Sequence, residues 1–137
     1  MQNPEIFDVC AALLLADAYK SFPVPCNVEF KKLHRRIADS FDAPDLENSV
    51  RMYLLIEHSI KWLERFGYFY IEAIRKDHAI SVLLTEKGLR ALRSVPASID
   101  AERQTVADVL VEAGKAGTKE AVLRGVGALF GGVMSVI

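Results

Sequence analysis

Four cations crowd one short stretch, Lys31, Lys32, Arg35 and Arg36. At these spacings they share one side of a helix, from which lysine and arginine can contact phosphate oxygens. Glu29 and Asp39 partly offset the charge, so the same side also reads as a solvated helix face. Further along, Asn48, Ser49, Arg51 and Met52 form a second group. Within it, Asn and Arg can make bidentate contacts to adenine and guanine edges respectively. Arg75 and Lys76 make a third. Asp45 and Glu47 stand beside the second group, where they suit a helix N-terminus but repel phosphate. From Asp45 to His78 there are five basic residues against six acidic ones.

Catalytic chemistry finds less support. The three histidines, His34, His58 and His78, include no pair at the i,i+4 spacing of helical metal ligands. There is no glycine-rich phosphate loop and no G-x-S-x-G turn, and Cys10 lies in an apolar stripe that disfavours a thiolate. Cys10 and Cys26 make neither a disulfide framework nor a recognisable metal site. No catalytic residue, cofactor or metal is therefore expected. With 137 residues, 51% hydrophobic and 26% charged, the chain can bury a core without staples. Its net charge of −1 lacks the basic surplus usual in nucleic-acid binders, so contact with DNA requires the charge to be segregated. Glu5 and Asp8 near the N-terminus do not make a basic signal-peptide region, and a cytoplasmic location is expected.

These groups need elements to hold them. The spacing predicts a first helix over Pro4–Tyr19 with Ile6, Val9, Cys10, Leu13 and Ala16 inward. Pro23 and Pro25 stop it, and Val24 is a candidate for a short strand. Asn27 reads as the N-cap of a second helix in which Phe30, Leu33, Ile37 and Phe41 recur every three or four residues. After a turn at Asp42–Asp45, capped by Asp45 or Ser49, a long helix runs to Phe66. One apolar side holds Leu46, Val50, Tyr53, Ile56 and Ile60, and another Met52, Leu55, Trp62, Leu63 and Phe66; a polar stripe of Glu47, Arg51, His58, Lys61 and Arg65, with Leu54 at its edge, lies between them. A helix apolar on two sides needs cover on both, which makes it the expected centre of the domain. Gly67 is its C-cap. Strands over Tyr68–Ile74 and Ala79–Leu84, joined by Arg75–His78, form a hairpin. Thr85 caps a short helix over Glu86–Val95 that Pro96 ends.

The order of long helix, hairpin and short helix resembles the winged-helix fold, and in particular the MarR and PadR-like bacterial regulators. The resemblance rests on the run Leu63-Glu64-Arg65-Phe66-Gly67-Tyr68 closing the long helix, and on Leu84-Thr85-x-x-Gly88 opening the next one. It covers about residues 5–95. It implies an α+β winged helix-turn-helix, three helices plus a β-hairpin wing, with the long helix in a major groove and the preceding helix on the DNA backbone. In that family the wing carries an Asp followed two residues later by an Arg. Here Asp77 is followed by His78 and Ala79, so any wing contact falls to Arg75 or Lys76.

The expected organisation is a winged-helix domain over 1–96 and a helical appendage over 97–137. In the appendage, Ser98–Glu112 reads as a helix with Val106, Val109, Leu110 and Ala113 inward. Thr118 can cap a last helix in which Arg124 is the only charge from Ala121 to Ile137. Gly127-Ala128-Leu129-Phe130-Gly131 has the small-xxx-small spacing of closely packed helices, and Gly127, Leu129, Gly131 and Val133 are the candidate oligomerisation residues. Packing on a second copy is the expectation; folding back on the domain and a membrane contact are the alternatives, and the segment is short for a span. Two functions follow. One is a dimeric transcriptional regulator that binds double-stranded DNA through Lys32, Arg35, Arg36, Asn48, Ser49, Arg51, Arg75 and Lys76. The other is a winged-helix module that binds protein instead.

Overall fold

A computed structural model describes residues 3–43 and 50–93 together with Thr105, Ala107, Asp108, Leu110 and Val111. The elements are α1 (Asn3–Ser21), β1 (Cys26–Glu29), α2 (Phe30–Ser40), α3 (Val50–Arg65), β2 (Phe69–Ile74), β3 (His78–Leu84) and α4 (Glu86–Arg93). The class is α+β, with an antiparallel sheet in the order β1-β3-β2.

The centre is α1, not the long helix α3. Every residue from Val9 to Ala16 is buried. The run Ala11-Ala12-Leu13-Leu14-Leu15-Ala16 is apolar around the whole circumference, and a helix of that kind has to be covered all round. It packs on α2, α3, α4, β1 and β3. Burial pushes the Cys10 thiol up to about 12, with a Ser59 hydrogen bond acting weakly the other way. At the exit of the buried run, the Asp17 carboxylate accepts a hydrogen bond from the Arg36 guanidinium at 2.5 Å and ties α1 to α2. Both partners are partly exposed, so the pair stabilises by no more than about 1 kcal/mol.

One stripe of α3 faces this core: Met52, Ile56, Ser59, Ile60 and Leu63. The two expected apolar sides are not both buried: Ile56 and Ile60 of the first and Met52 and Leu63 of the second merge into this one stripe, while Val50 of the first is 76% exposed and Trp62 and Phe66 of the second are 39% and 48% exposed. α1 covers the helix along one line, and Trp62 and Phe66 project beyond its edge.

The short strand after α1 exists, but it starts at Cys26 rather than at Val24. Asn27 does not cap α2. It lies in β1, and its side-chain oxygen accepts the Ser81 backbone amide at 3.0 Å. The β1–β3 register shifts between Cys26 and Val28, opposite the left-handed Ser81 (φ 55°). A bulged ladder leaves an amide without a strand partner, and the asparagine supplies one. α2 therefore begins at Phe30 with Glu29 as N-cap and no side-chain cap bond.

The Leu-Thr-x-x-Gly run has a physical role. α3 ends at Gly67 (φ 85°), with Tyr68 N–H donating to the Leu63 carbonyl at 2.9 Å, which leaves the carbonyls of Phe66 and Gly67 to be satisfied from elsewhere. Lys87 Nζ donates to Phe66 O at 2.8 Å, and Thr85 Oγ1 donates to Gly67 O. The same hydroxyl caps α4 by accepting Gly88 N–H at 3.0 Å. A Cβ on Gly88 would stand 2.4 Å from Tyr68 O, so only glycine lets α4 approach this closely.

Beyond α4, Thr105 and Asp108 exchange reciprocal amide-to-side-chain bonds at 3.1 and 3.2 Å, a capping box that places Thr105 outside the helix it caps. Ala107 and Leu110 are buried in the same core cluster as α1, and Val111 packs against it. Gly127, Leu129, Gly131 and Val133 lie outside the described residues, as do Asn48 and Ser49. No described helix is long and apolar enough to cross a membrane.

Candidate nucleic-acid interface

The outer face of α2 carries the exposed Lys31, Lys32 and Arg35. Phe30, Leu33, His34 and Ile37 take the opposite side into the core, with the His34 ring 4.2 Å from that of Tyr53 on α3. Lys32 pairs with Glu29 at 3.5 Å in a solvent-exposed contact. Arg36 is directed inward to Asp17, which leaves it the least available of the expected phosphate contacts.

The hairpin turn is tied to this helix. Glu29, the last residue of β1, pairs with His78, the first of β3. Phe30 N–H then donates to Asp77 O at 2.9 Å. Within the turn, Arg75 N–H donates to His78 O at 2.7 Å. β1 thus accompanies the hairpin to its end, and the turn finishes level with the start of α2 instead of projecting past the sheet. The Phe30–Asp77 bond sets the segment with Lys31 and Lys32 beside the one that carries Arg75 and Lys76, all four exposed. Two acids, Glu29 and Asp77, sit among them. A hydrogen bond from His78, 2.8 Å away, holds the Asp77 carboxyl below its ordinary value. Asp77 therefore remains charged throughout the neutral range.

The outward stripe of α3 is Val50, Leu54, His58, Lys61 and Arg65, all exposed, with Arg51 at one flank and Glu57 and Glu64 at the other. Leu54, expected at the edge of the polar stripe, is 51% exposed, and Val50, expected on an apolar side, joins it there. Arg51 is not extended into solvent: its guanidinium donates to the Asn3 side chain at 2.6 Å. Lys61 pairs with Glu57 at 3.1 Å.

A different surface lies where α1 crosses α3. Phe7 meets Trp62 edge to face at 5.2 Å, and Trp62 stacks on Phe66 at 4.3 Å. With Phe7 and Trp62, Asn3, Pro4, Leu55, His58 and Ser59 line an open hollow of about 420 Å³. Elsewhere on α1, burial and the neighbouring Glu5 push the Asp8 carboxyl up. The spacing of α3 predicts Trp62 and Phe66 on an apolar side that needs cover, and only the Trp-x-x-x-Phe spacing points to this exposed corner. Among the described residues, no three His, Cys, Asp or Glu side chains converge as a metal site would require. No protein-family model, curated protein or solved structure matches this chain.

Proposed function

We propose that the chain is a winged-helix DNA-binding regulator acting in the cytoplasm. The element order α-β-α-α-β-β and the strand order β1-β3-β2 support the winged-helix reading, because a short strand between the first two helices pairs with the hairpin. The observation that carries DNA binding is the Phe30–Asp77 junction, which gathers Lys31, Lys32, Arg75 and Lys76 onto one edge. A row of exposed cations fixed through the backbone suits phosphates at regular spacing. The turn neither projects nor carries the expected Arg, so its contribution is to phosphate and not to the minor groove. α2 and the turn position the duplex, and the outward stripe of α3 faces the bases.

The test is fluorescence anisotropy with a labelled random-sequence duplex at about 50 and about 200 mM salt. Binding that weakens steeply with salt supports the reading; absence of binding by folded protein at micromolar concentration overturns it. Arg35→Ala is expected to weaken binding alike on all sequences. A second reading, a winged-helix module that binds protein, draws on the exposed Trp62–Phe66 corner and gains if the duplex is not bound.

A further inference from the structure

We infer that α3 recognises C5-methyl groups of pyrimidines, thymine above all, through Val50 and Leu54; this rests on the DNA-binding reading above. These two side chains lie one turn apart on the outward stripe of the helix, 76% and 51% exposed. No described residue covers them. The polar reader nearest to them, Arg51, is held by Asn3. Arg65 and the Glu57-paired Lys61 continue the same stripe, and α2, which packs on α3, carries the exposed Lys31, Lys32 and Arg35. Glu57, three residues beyond Leu54, is paired with Lys61, and Glu64 lies farther toward the C-terminus on the same flank.

A branched aliphatic side chain offers no donor or acceptor to a base edge. In the major groove its favourable partner is the thymine methyl, the one apolar group displayed there by an unmodified base pair. The two residues are about 6 Å apart along the helix, roughly two base-pair steps at about 3.4 Å each. The recognised sequence is therefore expected to hold two thymines about two steps apart, on either strand, in each bound site.

The experiment begins with selection from a random duplex library on the full chain, followed by replacement of each thymine in the selected site by deoxyuridine. Uridine lacks only the methyl, so base pairing and hydrogen-bonding edges are kept. Loss of one methyl contact is expected to weaken binding about fourfold, and loss of two by about the square of that. The decisive comparison is the cycle with Val50→Ser and Leu54→Ser. Both changes are at exposed positions and leave the fold intact. Each should remove the uridine penalty at one thymine and leave the other. If the protein binds and selects a site, but uridine replacement costs nothing or costs the same in both variants, methyl recognition is overturned and DNA binding stands. If folded protein selects no duplex at all, the DNA-binding reading itself fails.

Discussion

The cationic edge and the aromatic corner are built by opposite means. The edge takes its geometry from the backbone: a strand register ending at Glu29–His78 and one amide donating to Asp77. Its side chains are exposed, Lys32 in a solvent-exposed pair with Glu29, and can adjust to a partner. The corner is set by its side chains, with Phe7, Trp62 and Phe66 locked against one another. Charge that has to follow a flexible polyanion benefits from loose side chains on a fixed frame. Aromatic rings bind through shape, so they benefit from being preset. Under the proposed function the first region meets nucleic acid, and the second is left to packing or to a protein.

The strongest break of that division is the combined change of Lys31, Lys32, Arg75 and Lys76 to Ala. Duplex affinity should fall on the order of a hundredfold at low salt, and the salt slope should shrink by roughly 3 to 4. Thermal stability should barely move, because all four are exposed. Gly88→Ala is the converse: a Cβ against Tyr68 O should cost about 1–3 kcal/mol in urea unfolding, with duplex affinity of the folded fraction retained. Trp62→Ala, which removes the chain's single tryptophan, should cost about 1 kcal/mol through its lost ring contacts and leave duplex binding unchanged. A large drop in DNA affinity would show that the two regions are one surface. Asp17→Asn should cost less than about 1 kcal/mol, release Arg36, and raise the salt slope by about 0.9, one further phosphate contact.

The smallest effect concerns pH at the turn. His78 holds the Asp77 carboxyl below its ordinary value. The contact's contribution is complete above the unfolded pKa and is lost as pH falls through the lower folded one. An NMR titration should show Asp77 returning to its ordinary value in His78→Ala.

Local chemistry made most elements readable. Gly67 ends α3 and Thr85 caps α4 because left-handed backbone and orphan amides demand those residue types. The hub was misplaced because two apolar sides on a long helix outweighed the all-apolar run Ala11–Ala16, which is the more stringent sign of burial. Asn27 was misassigned because an amide that suits a helix cap suits a bulged strand equally, and only the partner strand decides between them. The cationic groups on α2 and at the turn could each be read, but their meeting could not. It depends on a register between residues 30 and 77, and long-range register leaves no local trace. Asn48, Ser49 and the Gly127–Gly131 motif lie outside the described residues.

Because α2 lacks a side-chain cap, its first amide is satisfied by the hairpin. The turn and α2 are therefore mechanically one lever. A ligand that pulls on Arg75 or Lys76 also loads the first turn of α2, and release at either end frays the other. Hydrogen exchange at the Phe30 amide reports this directly: it should slow when the turn is held by a partner, and quicken if the turn is lengthened by a single inserted residue.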